Sequence, residues 1–450
     1  MDRVLRIGLL FSLMTPLAWA AGSEHMDPVA PTLIALIVIL ASAKIGSELF
    51  ERLNQPAVLG ELLAGVVLGN LVLIHSSWNF FEPLRLASGA PDWAIVVDQL
   101  SRIGVVILLF EVGLESTVQG MLKVGDSSFL VAVVGIVAPF GLGYAVSWLM
   151  IRELPAGLVP IVPPGFSLQY VHLFIGAVLC ATSVGITARV LKDLGKMQRK
   201  ESQIILGAAV IDDVLGLLIL AVIAGVIAAA ESGQPPEVLA IVKLAAAALV
   251  FLVGSLVLGV TVVPRIMTRL ARLRTSGVML ISSLLLAFGL SYIAAIIGLA
   301  PIVGAFAAGL ILEEAHFHGF RDEITVEKLL RPIATMLVPI FFVVMGIGVR
   351  LETFSNTGVL GLAAGLTIAA ILGKQVCGFG VIERGLDRLS VGVGMIPRGE
   401  VGLIFAGIGR ALKVIDDGTF SAIVMMVMLT TVCTPPVLKY TLARWDRKHG

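Results

Sequence analysis

About thirteen apolar stretches, most of them roughly the length a helix needs to cross a bilayer, follow one another along the chain and fix the solvent in which it folds. They lie near residues 29–50, 56–75, 95–114, 128–150, 168–190, 203–230, 238–262, 277–297, 299–313, 332–349, 356–379, 390–410 and 419–438. Hydrophobic residues make up 58% of the 450 residues and charged residues 14%, and the mean hydropathy is +1.00. A chain of that composition cannot enclose one soluble core in a polar shell of matching size. The expected fold is an all-α polytopic membrane protein.

The ends and connections suggest how such a protein is inserted. Arg3 and Arg6, the apolar run Ile7 to Leu17 and the small residues Ala18, Ala20 and Ala21 have the order of an export signal cut after Ala20 or Ala21. Residues 1–21 are therefore expected to be a signal peptide, and residues 22–450 one transmembrane domain with no soluble domain after Pro436. With the mature N-terminus outside, the odd-numbered connections collect Arg189, Lys192, Lys196, Arg199, Lys200, Arg265, Arg269, Arg272, Arg274, Arg321, Lys328, Arg331, Arg384, Arg388 and the Lys439 to Lys448 tail. The other side carries isolated cases, Arg85, Arg152, Lys243, Arg350 and Lys413. The bias predicts an outer N-terminus and a cytoplasmic C-terminus. A net charge of +1 and the lack of any basic tract interleaved with aromatics argue against a nucleic-acid partner. Cys180, Cys377 and Cys433 share no metal or redox spacing, and with His172 they read as packing residues.

Charge within the apolar stretches points to function. Asp212 and Asp213 interrupt the uncharged run from Ile204 to Leu220, and Lys374 sits within another. In hydrocarbon such groups need a wet cavity, a counter-charge or a bound cation, and an ion path supplies all three. Lys374 either snorkels to the headgroups or pairs with a buried carboxylate, and Asp212 is the candidate partner. Two further segments have the composition of interrupted helices. One runs from Cys180 to Arg189, with Thr182, Ser183 and Thr187 around Gly185; the other runs from Gly392 to Phe405 and holds Pro397, Arg398, Gly399 and Glu400. Hydroxyls in such places either bond back to their own helix or face an ion, and an unwound turn frees backbone carbonyls for the same purpose. Glu61, Arg102, Glu111 and Glu115 read as interhelical or interfacial pairs.

A dehydrated Na⁺ or Li⁺ wants hard oxygen ligands, and a carboxylate at low-dielectric depth binds protons for the same reason. One aspartate can therefore hold either the metal ion or a proton. Asp213 is the expected ligand, with Asp212, Thr182 or Ser183 and backbone carbonyls completing the Na⁺ shell, and Arg398 and Glu400 supply structural or gating electrostatics. Two carboxylates and one lysine let about two protons move per cation, so exchange would be electrogenic, with about 2.3 kcal/mol available per charge at 100 mV.

At Ala181 to Arg189, Ile211 to Gly216, Pro339 to Gly346, Gly373–Lys374 and Pro397 to Gly402 the chain resembles the bacterial sodium/proton antiporters of the monovalent cation:proton antiporter-2 group, NapA-like branch. The resemblance implies thirteen spans in two inverted repeats, a dimerization domain and a six-helix core that moves as an elevator. It also implies two crossing unwound helices, around Thr182 to Ile186 and around Pro397 to Gly402. A homodimer in the bacterial cytoplasmic membrane follows, surrounded by lipid, with monovalent cations and protons as cargo, no cofactor and no enzymatic activity. Asp213 then binds the ion while Asp212 pairs with Lys374, and aspartate at 212, where electroneutral relatives tend to carry asparagine, favours the electrogenic type. K⁺/H⁺ exchange is the competing expectation. A channel would need a repeated filter, and an intramembrane hydrolase would need a nucleophile with its base or opposed carboxylates from separate helices.

Overall fold

The computed structural model describes residues 27–449 except 28, 54, 77, 86–88, 116–124, 156–157, 160–161, 163–165, 232–237, 271, 274, 276 and 313–324. The signal expected over residues 1–21 lies outside the described residues.

All regular structure among the described residues is helical. α1 (Ala30–Arg52), α2 (Ala57–Gly69) and α3 (Asp92–Glu115) come first, then α4 (Asp126–Met150), α5 (Leu168–Val178), α6 (Val184–Asp193) and α7 (Lys200–Glu231). α8 (Val238–Thr261) and α9 (Val263–Leu270) bend by 44° at their junction. The second half repeats the order of lengths: α10 (Val278–Ile296), α11 (Pro301–Ile311) and α12 (Val326–Ile347), then α13 (Thr357–Val376), α14 (Arg388–Gly394), α15 (Gly399–Ala411) and α16 (Asp417–His449). Eight described helices are long and apolar enough to cross a membrane, or nine with the bent pair taken as one span, and four shorter helices are also apolar. The chain is a helical polytopic membrane protein.

The helices sort into two packed groups. α1, α2, α3, α10, α11 and α12 pack on one another, while α4 to α7 and α13 to α16 form the second group; α8 touches both, through α7 and α11. Small residues decide the closest approaches, because in lipid helices associate through van der Waals contact and not through the hydrophobic effect. Gly46 of α1 faces Gly60 of α2, and Gly65 of α2 faces Gly346 of α12, so near that a Cβ on any of the four would overlap the partner's backbone. Beside the first contact Ser47 donates to buried Glu61 at 3.0 Å, the interhelical pairing expected of that carboxylate. Arg102 instead pairs along its own helix with Asp98, on an exposed face.

Polar contacts gather at the two ends of the molecule. At one end Lys196 and Arg199 hold Asp446, and Arg199 lies 3.6 Å from Glu201. Nearby the Ser127 hydroxyl donates to Glu383 and holds that carboxyl below its usual range. At the other end Arg85 donates to the carbonyls of Ile347 and Val349, Arg350 pairs with Asp417 at 2.8 Å, and Arg410 reaches Asp417 at 3.1 Å. This second cluster ties α12 of the first group to α15 and α16 of the second. The proline-rich segment after Leu154 packs inward in part: Leu158 is fully buried and Val162 lies against the core, while Val159 is exposed.

Gly65→Leu should lower stability by about 1–3 kcal/mol, since the added side chain must displace backbone. Gly141→Leu, in open space on α4, should leave it unchanged. Unfolding temperatures in detergent check both, and equal values for the two variants would contradict the packing described.

Candidate ion-binding site

Two helical lines break opposite each other within the second group. α14 must stop where it does, because Pro397 has no N–H to continue the helix and disfavours the helical conformation at Ile396. The line then resumes at Gly399, whose φ of +30° a side chain would strain. α5 ends at Val178 and α6 begins at Val184 with no proline between them, so this break rests on contacts with the other segment. Ser183 N–H donates to Pro397 O at 2.8 Å, and the Thr187 hydroxyl donates to Gly394 O at 2.6 Å. The unwound residues are 179–183 and 395–398. Both breaks end sooner than the expected Thr182–Ile186 and Pro397–Gly402, because the helices restart as soon as their N–H groups find acceptors.

Arg398 fills the gap that the first break opens. Its guanidinium is fully buried and donates to the carbonyls of Cys180 and Ala181, which lie just beyond α5, and to Ala370 O at 3.3 Å. A fixed positive charge at a helix C-terminus suits the partial negative charge collected there. Glu400 follows in the first turn of α15, but its side chain lies outside what is described.

Lys374 of α13 stands between the crossing and α7. Its Nζ donates to both carboxylate oxygens of Asp212 at 3.0 Å, and both side chains are 0% exposed. The Thr182 hydroxyl lies within reach of the Asp212 carboxylate and of Met395 O, at 3.4 Å from the latter. It has one proton to give and can satisfy only one of them at a time. Gly135 of α4 lies beside the ammonium: a Cβ there would be in ordinary van der Waals contact with Lys374 Nζ, at 3.5 Å. Cys377 donates its thiol to Lys374 O, and Cys180 bonds back to Gly176 O.

Asp213, next along α7, is turned about 100° from Asp212 and keeps 5% of its surface exposed where Asp212 keeps none. Among the described residues no group of three or more His, Cys, Asp and Glu side chains is placed to hold a metal ion.

A cavity of about 350 Å³ opens between the two groups, lined among others by Pro56, Glu111 and Phe342 on one side and Ile186, Gly399 and Thr431 on the other. A Cβ on Gly399 would strike the Ser183 hydroxyl, so the cavity wall and the first break are in contact. A larger cavity, about 550 Å³, lies between α4 and α5 near His172 and Trp148 and touches none of the site residues. His172 is held there by Ser147 at 2.7 Å, as a packing residue would be. Sequence reasoning passed over Gly135, Thr431 and the Arg85–Arg350–Arg410 cluster. Pairing across the fold gives these residues their place, and nothing in their immediate neighbours announces it.

The family described as "Sodium/hydrogen exchanger, transmembrane" matches residues 7–444. The chain is 38% identical to the high-affinity Na⁺/H⁺ antiporter NhaS3 of Synechocystis, over 93% of both proteins. It is 36% identical to the Na⁺/H⁺-K⁺ antiporter GerN of Bacillus cereus, over 92% of this chain and 96% of that one. The fold is similar to that of the sodium proton antiporter MjNhaP1 of Methanocaldococcus jannaschii, with a TM-score of 0.63 at 15% identity over 93% of this chain and 98% of that one. Buried carboxylates, a buried lysine and two facing helix breaks thus occur in a chain that belongs to the sodium/hydrogen exchanger family.

Proposed function

We propose that this protein is an electrogenic secondary antiporter that exchanges Na⁺ or Li⁺ for protons across the bacterial cytoplasmic membrane by alternating access. The observation that carries this is the Asp212–Lys374 pair, fully buried, with Asp213 beside it and slightly exposed. Asp212, Asp213, Lys374 and Arg398 sum to +1 when Asp213 holds a proton and the other three are ionised. A monovalent cation entering against Asp213 displaces that proton, and loss of the Lys374 proton then brings the low-dielectric site to neutrality, two protons for one cation. Asp213 binds the cation, together with Thr182 or Ser183 and carbonyls of the unwound turns. If Asp212 swings toward the ion, Lys374 loses the partner that keeps it protonated and releases its proton, which returns when the cation leaves. Arg398 stays charged throughout and holds the broken ends in register.

The packing supports an elevator. The second group carries every site residue and meets the first across the cavity at one end and the Arg350–Asp417 cluster at the other. Eight long helices, the bent pair and the four shorter apolar ones support a reading of thirteen spans. Their order, three helices and then a set with a broken member, recurs in both halves, which supports two repeats. The first group is then the dimerization domain of a homodimer, with apolar Ile37 and Ile45 of α1 and Leu285 and Tyr292 of α10 exposed. An outer N-terminus puts the cavity on the cytoplasmic side. Residues 22–450 form one exchanger domain after a signal at 1–21, and no cofactor takes part. A K⁺/H⁺ exchanger is the second reading, favoured by the similarity to GerN, whose name includes K⁺.

Dissipation of a pH gradient in proteoliposomes on adding Na⁺, Li⁺ or K⁺ tests this. Na⁺ or Li⁺ should drive it, and a response to K⁺ alone would move the protein to the second reading. Asp213→Asn should reduce exchange to the level of empty liposomes, and transport that survives would remove Asp213 from the site. Lys374→Ala strands a buried carboxylate, a loss of about 3–5 kcal/mol. The double variant Lys374→Ala, Asp212→Asn strands no charge and should melt above the single one. Its remaining exchange should respond less to a clamped membrane potential than the wild type does. A double variant no more stable than Lys374→Ala would contradict the pairing.

A further inference from the structure

A helix that starts inside a protein needs an acceptor for its first N–H groups, usually a Ser, Thr, Asp or Asn just ahead of the first turn. At the start of α15 that place belongs to Arg398, which can only donate and is committed to carbonyls elsewhere. The acceptor comes from another helix. Gly399 N–H donates to the hydroxyl of Thr431 on α16 at 3.3 Å, and Thr431 is 1% exposed.

The common role of a threonine in an apolar helix is to bond back to its own backbone. Thr430 and Thr434 do so, donating to Met426 O and Thr430 O. Thr431 instead reaches across to α15. It also lines the cavity between the two groups together with Gly399 and Ile186, and Gly399 in turn abuts the Ser183 hydroxyl. Thr431, the first N–H of α15 and Ser183 therefore form one contiguous polar seam between the cavity and the crossing.

We infer that Thr431 is a positioning residue for cation binding: it accepts the first N–H of α15 and so masks a positive helix end that would otherwise face the incoming ion. An uncapped helix start carries part of a positive charge and repels cations. A hydroxyl oxygen with one lone pair on that N–H keeps a second for water or for the ion itself. The same bond fixes Gly399 against Ser183, where a shifted turn would move the oxygens expected to coordinate. This inference rests on the Na⁺/H⁺ exchange proposed above.

Thr431→Val keeps the shape and removes the acceptor, whereas Thr431→Ser keeps the acceptor and removes the methyl. In proteoliposomes, exchange is measured against Na⁺ concentration at fixed internal and external pH. The valine variant should raise the apparent KM for Na⁺ about fivefold, the size expected of one lost cap, with maximal turnover within about twofold of wild type. The serine variant should match wild type in both. An unchanged KM in the valine variant, or a serine variant impaired as much as valine, would overturn the inference. If the valine protein is poorly produced, Thr431→Ala takes its place. The Na⁺ concentration that half-maximally raises the melting temperature in detergent should shift by the same factor, without reference to turnover. A wild-type protein that exchanges no Na⁺ for H⁺ would defeat the proposed function itself; wild-type exchange with normal Na⁺ dependence at Thr431→Val would defeat only the role of Thr431.

Discussion

The ion pair between Lys374 and Asp212 is the contact around which the second helix group is organised. Two opposite charges fully removed from water are tolerable only at close range and with their remaining valences met. The neighbourhood supplies that. The Thr182 hydroxyl comes within reach of the carboxylate, and Gly373 lets α13 lie close against Pro139 of α4, bringing Lys374 to its partner. Arg398 then adds a second buried cation, which is possible because α5 ends there with carbonyls to spare.

Around this pair the molecule separates what is fixed from what can respond. The carbonyls of the first break are held by Arg398, and the two breaks are stitched together by Ser183 to Pro397 and Thr187 to Gly394. Asp213 is the one member of the charged set with some exposure, and the side chain of Asp212 is bound by a partner that can lose its charge. In the proposed cycle, binding at one aspartate is therefore felt at the lysine through the other. The contact between the helix groups is asymmetric in the same way, ion-paired at Arg350, Asp417 and Arg410 and open at the cavity beside Glu111. A group that slides must exchange one condition for the other.

Much of this was legible in the residues because burying charge is costly and helix breakers are few. Asp212, Asp213 and Lys374 stood out as ionised groups in apolar runs, and Pro397 announces its break unaided. The break at 179–183 is less visible, since Thr182 and Ser183 have the same composition as hydroxyls that merely bond back. The apolar stretches located the helices but not their ends. α16 continues past residue 438 to His449, because hydropathy marks only the apolar part of the helix, whereas its charged end is held by Lys196 and Arg199 on Asp446. The sorting into two groups depends on contacts between residues far apart in the chain, such as Gly65 with Gly346, and so does the cap that Thr431 provides. No local pattern encodes them.

In the proposed cycle, cation binding is compensated by protons leaving a buried cluster in which Asp213 and Lys374 each hold one. Proton release can be counted directly by titrating Na⁺ into the purified protein in weakly buffered detergent solution, at a pH where Asp213 holds a proton and Lys374 is charged. The account predicts more than one proton released per Na⁺ bound, approaching two. Saturable Na⁺ binding with no proton release would contradict it, because the added charge would then have to be carried by a site that has no means of holding it.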